Sequence, residues 1–195
     1  MSNLILASSS PYRKMLLQRL DIPFTCQAPD IDESPQPSEP PAALAQRLAL
    51  EKAQTIASKF PGAVVIGSDQ VAEQSGQVLG KPGTHQRAVQ QLQAQSGQTV
   101  LFHTGLALVQ LLPAGTEKQI QLVDTTAVSF RQLDDRQIER YLEREQPYDC
   151  AGSFKAEGLG ISLFNAVSSQ DPSSLIGLPL ISLCSALEDF GLDIL

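Results

Sequence analysis

Five short stretches carry the side chains that could do chemistry. The first is Ser8-Ser9-Ser10-Pro11-Tyr12-Arg13, between an apolar run and a helical pattern. A loop entering a helix N-terminus presents unbonded N–H groups and the positive end of the helix dipole, which suits a phosphate. Ser8 and Ser10 add hydroxyls and Arg13 a fixed charge, although Ser10 and Arg13 equally suit a plain cap and a surface cation. The second is Gly67-Ser68-Asp69-Gln70, which reads as the end of a buried strand. Asp69 there could bind a metal, take a proton from water, or cap a turn. The third is a pair of lysines: Lys52 in an Ala/Leu/Gln helical stretch, and Lys81 in Gly80-Lys81-Pro82. Each could neutralise a phosphate or stand in solvent. The fourth is the glycine-rich segment Ala151 to Gly160, with charges at Lys155 and Glu157. The fifth is Asp32-Glu33, a metal contact or a solvated turn.

The elements that must position these groups follow from periodicity. Leu4-Ile5-Leu6-Ala7 predicts a buried strand. Ser10 as N-cap and Pro11 as first helical residue start a helix with Met15, Leu16, Leu17 and Leu20 as its apolar stripe. A strand is expected near Phe24 to Ala28. Residues 29–41, with Pro29, Pro35, Pro37, Pro40 and Pro41, form a loop. A helix follows from about Ala42 to Phe60, then a strand from Ala63 to Gly67, a hairpin turn at Gly76, and a helix over 84–96 whose glutamines face solvent. Thr99 to Leu112 and Gln119 to Phe130 read as long strands joined around Pro113-Ala114-Gly115. Asp134 caps a helix, Ile161 to Phe164 reads as a strand, and Leu178 to Phe190 closes the chain as a helix. Interleaved helices and strands make the class α/β with a mixed sheet. No linker divides the 195 residues, so one domain over 1–195 is expected.

Composition removes several classes. Twenty-one acids against 14 Lys and Arg leave a net charge of −7, which argues against a nucleic-acid binder acting by general electrostatics. A small anionic ligand needs only a few placed cations. No apolar run reaches membrane-spanning length, and Met1-Ser2-Asn3-Leu4 lacks a basic n-region, so a cytoplasmic protein is expected. Cys26, Cys150 and Cys184 are widely spaced and odd in number, and read as free buried thiols. Two histidines, His85 and His103, argue against a His-rich zinc site, and carboxylates would favour a hard cation.

Taken in order, Leu4 to Ser8 with Ser10-Pro11 and Arg13, Asp32-Glu33, Glu51-Lys52-Ala53, Gly67-Ser68-Asp69, Gly80-Lys81-Pro82, Thr104-Gly105, Ala151-Gly152 with Glu157-Gly158, and Ile176-Gly177-Leu178-Pro179 resemble the Maf family of nucleotide pyrophosphatases. The resemblance implies a Maf/ITPase-like fold: an elongated, twisted mixed sheet flanked by helices, with two lobes around a deep cleft. It implies hydrolysis of nucleoside triphosphates to monophosphate and diphosphate with a divalent metal, magnesium or manganese. By the same resemblance Asp69 is the proton acceptor and, with Glu33, a metal contact, while Ser8, Arg13, Lys52 and Lys81 line the phosphates. Tyr12, Gln70 and Glu157 stand where the family tunes base choice. The dTTP/UTP branch generally has Arg, Thr and Gln there, and this chain is more similar to the branch acting on 7-methyl-GTP. An aromatic face at Tyr12 and a carboxylate at Glu157 suit a cationic 7-methylguanine. Another nucleotide substrate, or a non-catalytic nucleotide-binding or cell-division role, are the competing readings. A homodimer fits the resemblance and the general prevalence of two-fold assemblies.

Overall fold

The computed structural model describes residues 3–112 and 115–195. The junction at Pro113-Ala114 and the first two residues lie outside the described residues. The elements are β1 (Leu4–Ala7), α1 (Pro11–Gln18), β2 (Thr25–Cys26), α2 (Pro41–Ala57), β3 (Val64–Gln74), β4 (Gln77–Leu79), α3 (His85–Gln95), β5 (Thr99–Leu111), β6 (Glu117–Phe130), α4 (Asp135–Glu145), β7 (Phe164–Ser168) and α5 (Leu180–Asp189). The strands bond in the order β2-β1-β3-β5-β6-β7, with β4 on β3. β1 runs parallel to β2 and β3, whereas β3/β4 and β6/β7 are antiparallel, so the sheet is mixed as expected. No helix among the described residues is long and apolar enough to cross a membrane.

The chain divides into two compact units, with dividing points inside β3, β5 and β6. One comprises Met1–Gln70, Thr104–Asp124 and Asp171–Leu195; the other comprises Val71–His103 and Thr125–Gln170. In the first unit both sheet faces are covered. Leu4 and Leu6 of β1, Val64 and Ile66 of β3, and Leu106 and Leu108 of β5 pack with Leu16 and Leu17 of α1 and Leu183 and Leu187 of α5. Their neighbours Ile5, Ala7, Val65 and Ala107 pack with Ala49, Ala53 and Ile56 of α2. Alternation at period two sends successive residues to opposite faces, and burial on both explains the unbroken apolar runs.

α2 lies unusually close to the sheet. A Cβ at Gly67 would stand 2.1 Å from the Ala49 carbonyl oxygen, and one at Gly105 would stand 2.2 Å from that of Ala45. The stripe Ala45, Ala49, Ala53 presents only methyl groups to the strands, so helix backbone and sheet backbone nearly touch.

In the second unit Phe102, Phe130, Phe154 and Phe164 stack edge to face, with ring centroids 4.9 to 5.7 Å apart. Buried His103 links strands: Nε2 lies 2.7 Å from Glu73 Oε2 and Nδ1 lies 3.0 Å from Thr125 Oγ1. α4 opens on a capping box formed by Asp134 and Gln137.

Several sequence expectations change. β3 does not stop at Ser68-Asp69-Gln70 but runs to Gln74, because each of those polar side chains has a partner within the fold. Residues 159–163 form a 3-10 turn and the strand follows at Phe164–Ser168, where the chain pairs with β6. α2 ends at Ala57 rather than Phe60. Met15 is 47% exposed, on the outer side of α1. The cysteines are free, but Cys26 is exposed and the other two are half-buried. Gln95 is fully buried rather than solvated.

The close approach of α2 gives the first test. Gly67→Ala forces the helix away and should lower unfolding stability by about 2 kcal/mol or more, read as a fall in the urea midpoint. Gly80→Ala, where a methyl group would meet nothing within 4 Å, should change it by less than about 0.5 kcal/mol.

Candidate active site

The site of the first unit begins where β1 ends. Register places Ala7 opposite Gly67, so Ser8 follows beside Ser68. Ser8 is buried, and its Oγ accepts from Ser10 N at 3.1 Å, while Ser10 Oγ accepts from Arg13 N at 3.4 Å. The expected N-cap with Pro11 at the first helical position is therefore formed. Two serines in relay turn the chain tightly from strand to helix and set Arg13 in its first turn.

Arg13 does not extend freely. Its Nε donates to Gly177 O at 2.9 Å, and Ser68 Oγ donates to the same oxygen at 2.9 Å. Burial pulls the guanidinium pKa down, opposed by the negative charges of Asp69 and Glu33. It stays a cation regardless. With Nε used, the two outer nitrogens are the part of the guanidinium that could meet an anion. Gly177 has φ 121, a left-handed backbone that favours glycine at this turn.

Lys52 is the centre of the charge arrangement. It is 6% exposed, and its Nζ lies 2.6 Å from Asp69 Oδ1 and 2.6 Å from Glu33 Oε1. Asp69 is buried within β3, and Glu33 reaches in from the proline-rich loop with its side chain 57% exposed. A buried ammonium is tolerated only when paired, and two carboxylates on one ammonium leave net negative charge there. The structure thus brings together Ser8, Arg13, Glu33, Lys52 and Asp69. Gln70 follows Asp69, but its Nε2 donates to Thr104 Oγ1 and to the carbonyls of Ser174 and Leu175, at 2.9 to 3.1 Å. Tyr12 is half-buried on α1. Lys81 and Glu157 are exposed in the second unit, in the turn after β4 and between two 3-10 turns.

Sequence reasoning missed Arg47. It donates Nε to Glu39 Oε1 at 2.6 Å, Nη2 to Glu39 Oε2 at 2.8 Å and to Ser34 O at 3.0 Å, and Nη1 to Glu51 at 3.2 Å. This fork fastens the loop next to Glu33, and the spacing to Glu51 one helical turn away was its only sequence signal. Asp32 is a turn residue, accepting from Ser34 N at 2.9 Å.

The profile of the family described as Maf-like protein matches residues 3–190. The chain belongs to the Maf family. Among curated relatives of this Maf chain, a protein of Xanthomonas axonopodis pv. citri named 7-methyl-GTP pyrophosphatase is 56% identical over 194 residues, covering 100% of both chains. A protein of the same name from Nitrosococcus oceani is 56% identical over 192 residues, covering 98% of this chain and 95% of its own. Another from Pseudomonas syringae pv. tomato is 56% identical over 194 residues, covering 100% of both. The solved structure of a HAM1 protein from Coxiella burnetii superposes with a TM-score of 0.54 over 97% of this Maf chain and 100% of its own, at 16% identity, a likeness of fold.

The Arg47 clasp predicts a pH signature. Arg47 holds the Glu39 carboxyl down from 4.5 to about 2. Its folded pKa lies below its unfolded one, so it adds stability above about pH 4.5, lost as the pH falls toward about 2. Urea midpoints of the wild type should therefore fall more steeply between these pH values than those of Glu39→Gln.

Proposed function

We propose that this protein is a nucleoside triphosphate pyrophosphatase that cleaves the α–β phosphate bond of 7-methyl-GTP, giving 7-methyl-GMP and diphosphate. The observation that carries the reading is the convergence of Lys52 on Asp69 and Glu33, with the anchored guanidinium of Arg13 feeling both carboxylates. The names of the 56% identical relatives support the substrate.

The residues do separate work. Arg13 and the serine relay at the mouth of α1 receive phosphate oxygens, and Lys52 offsets their charge. Lys81 is a further phosphate contact by the family resemblance. Asp69 Oδ1 is fixed by Lys52, which leaves Oδ2 to orient a water and take its proton. The new P–O bond replaces the anhydride bond, and diphosphate leaves with the electron pair. By the family resemblance Tyr12 and Glu157 are positions that tune base choice: an aromatic face and a carboxylate each suit a ring that carries positive charge, and Gln70 holds the backbone at Ser174 and Leu175.

Asp69 and Glu33 also fit a divalent cation. Their oxygens already share one cationic partner, and magnesium-type ions take one or two carboxylates and complete their shell with phosphate oxygens and water. Among the described residues no group of three or more His, Cys, Asp or Glu forms a cage, so the substrate would supply the remaining oxygens. Such an ion supplies neutralisation of the triphosphate charge. Magnesium or manganese is the expected choice. A nucleotide is the expected partner, the cytoplasm the expected compartment and a homodimer the expected assembly.

Two experiments test this. Asp69→Asn keeps the shape and removes the base, so diphosphate release should fall by about 10² to 10⁴ with the melting temperature close to that of the wild type. Near-normal turnover would end the assignment of Asp69. A panel of 7-methyl-GTP, GTP, dTTP, UTP and CTP at fixed magnesium should show the highest kcat/KM for 7-methyl-GTP. Preference for dTTP or UTP would overturn the substrate, and tight binding without diphosphate release would mark a binding protein instead.

A further inference from the structure

Glu145 stands in an unfavourable place for the helix that carries it. It is the last residue of α4, where the helix dipole disfavours an acid. Its side chain is 19% exposed and turns away from the helix to serve another segment. Oε2 accepts from Leu159 N at 2.7 Å, and Oε1 lies 3.9 Å from Lys155 Nζ, which also donates to the Glu145 carbonyl at 3.3 Å. Lys155 and Leu159 are the flanks of Glu157.

The same short segment is gripped at every other handle. Phe154 is locked among three other phenylalanine rings. Lys155 N donates to the buried Tyr141 hydroxyl at 3.1 Å, and Gly160 N returns to Lys155 O at 3.1 Å. Just upstream, Gln95 Nε2 donates to Gly152 O at 3.0 Å and Ser153 Oγ bonds Gln91 Oε1. Gly158 is required by the grip: a Cβ there would meet the Glu145 carboxylate at 2.8 and 2.9 Å. Glu157 itself is exposed. A loop with fixed flanks holds the backbone of its one outward acid in place, which narrows where that carboxylate can reach, as recognition of a charged ring requires.

We propose that Glu145 is a positioning residue for base recognition. By holding the Leu159 amide and Lys155, it fixes the backbone from which Glu157 projects and so sets the discrimination between cationic 7-methylguanine and neutral guanine. This rests on the reading of Glu157 as the acid that receives the base. Glu145 touches no reacting atom and leaves the chemical step alone. Its carboxylate acts mainly as a hydrogen-bond acceptor, so an amide oxygen at the same place can substitute for it.

The test is steady-state kinetics of the full chain with 7-methyl-GTP and GTP, read as the ratio of their kcat/KM values. Glu157→Gln should lower the ratio by about tenfold or more. Glu145→Ala should lower it by a similar factor through the KM for 7-methyl-GTP, with kcat for GTP within about twofold of wild type. Glu145→Gln, which still accepts the Leu159 N–H, should keep the ratio within about threefold. A collapsed ratio in Glu157→Gln with an unchanged ratio in Glu145→Ala overturns the positioning role alone. An unchanged ratio in Glu157→Gln removes the reading of Glu157 and the proposal with it. Should Glu145→Ala not fold, Gly158→Ala takes its place: its methyl group displaces the carboxylate, and an unchanged ratio there counts against the proposal.

Discussion

The near contact between the backbone of α2 and the strands is the constraint on which the first unit depends. Gly67 and Gly105 remove the side chains that would hold the helix off, and Ala45, Ala49 and Ala53 remove them from the other side. Lys52 lies on this helix beside Ala53. At an ordinary helix-to-sheet spacing its ammonium would approach Asp69 from further away. Drawn in, it meets Asp69 and Glu33 at 2.6 Å each. The Arg47 fork, five residues earlier on the same helix, ties down the loop that delivers Glu33. One helix thus supplies the cation, approaches the strand bearing one acid and fastens the loop bearing the other.

The sequence made much of this fold legible because local signals agreed with tertiary demands. The run Leu4 to Ala7, the Ser10 cap with Pro11, the turn at Gly76 and the Asp134 cap each have a local physical cause, and each is realised. Reading failed where a distant partner overrides the local pattern. Ser68, Asp69 and Gln70 resemble a strand end because three polar residues in a buried strand are costly; they are tolerated because Gly177, Lys52 and Ser174 meet them. Gln91 and Gln95 look like part of a solvated glutamine face until the loop at Gly152 and Ser153 is seen against them. The start of α5 lacks a side-chain cap from its own flank; Asp171 and Ser173 supply it from outside the helix, accepting from Ile181 N and Leu180 N.

The candidate site was legible in its residue types and less so in its supports. Arg13, Lys52 and Asp69 stood out as charges in apolar or loop contexts, and they converge. Gly177, whose carbonyl orients Arg13, and Arg47, which orients the loop of Glu33, carried little signal because a carbonyl has no identity and a surface Arg–Glu spacing is common. The charge balance also gains meaning from this geometry. With a net charge of −7, attraction of a phosphate would have to be local and come from a few cations oriented in advance.

The shared acceptor at Gly177 has a consequence for how the protein is made. Arg13 emerges from the ribosome early, yet the carbonyl that fixes it lies 164 residues later. At ordinary synthesis speeds the gap is on the order of ten seconds or more. Throughout that time the first helix can form, but its guanidinium has no backbone oxygen to orient it, and Ser68 lacks the same partner. Both side chains gain their fixed orientation only once the final segment has been made.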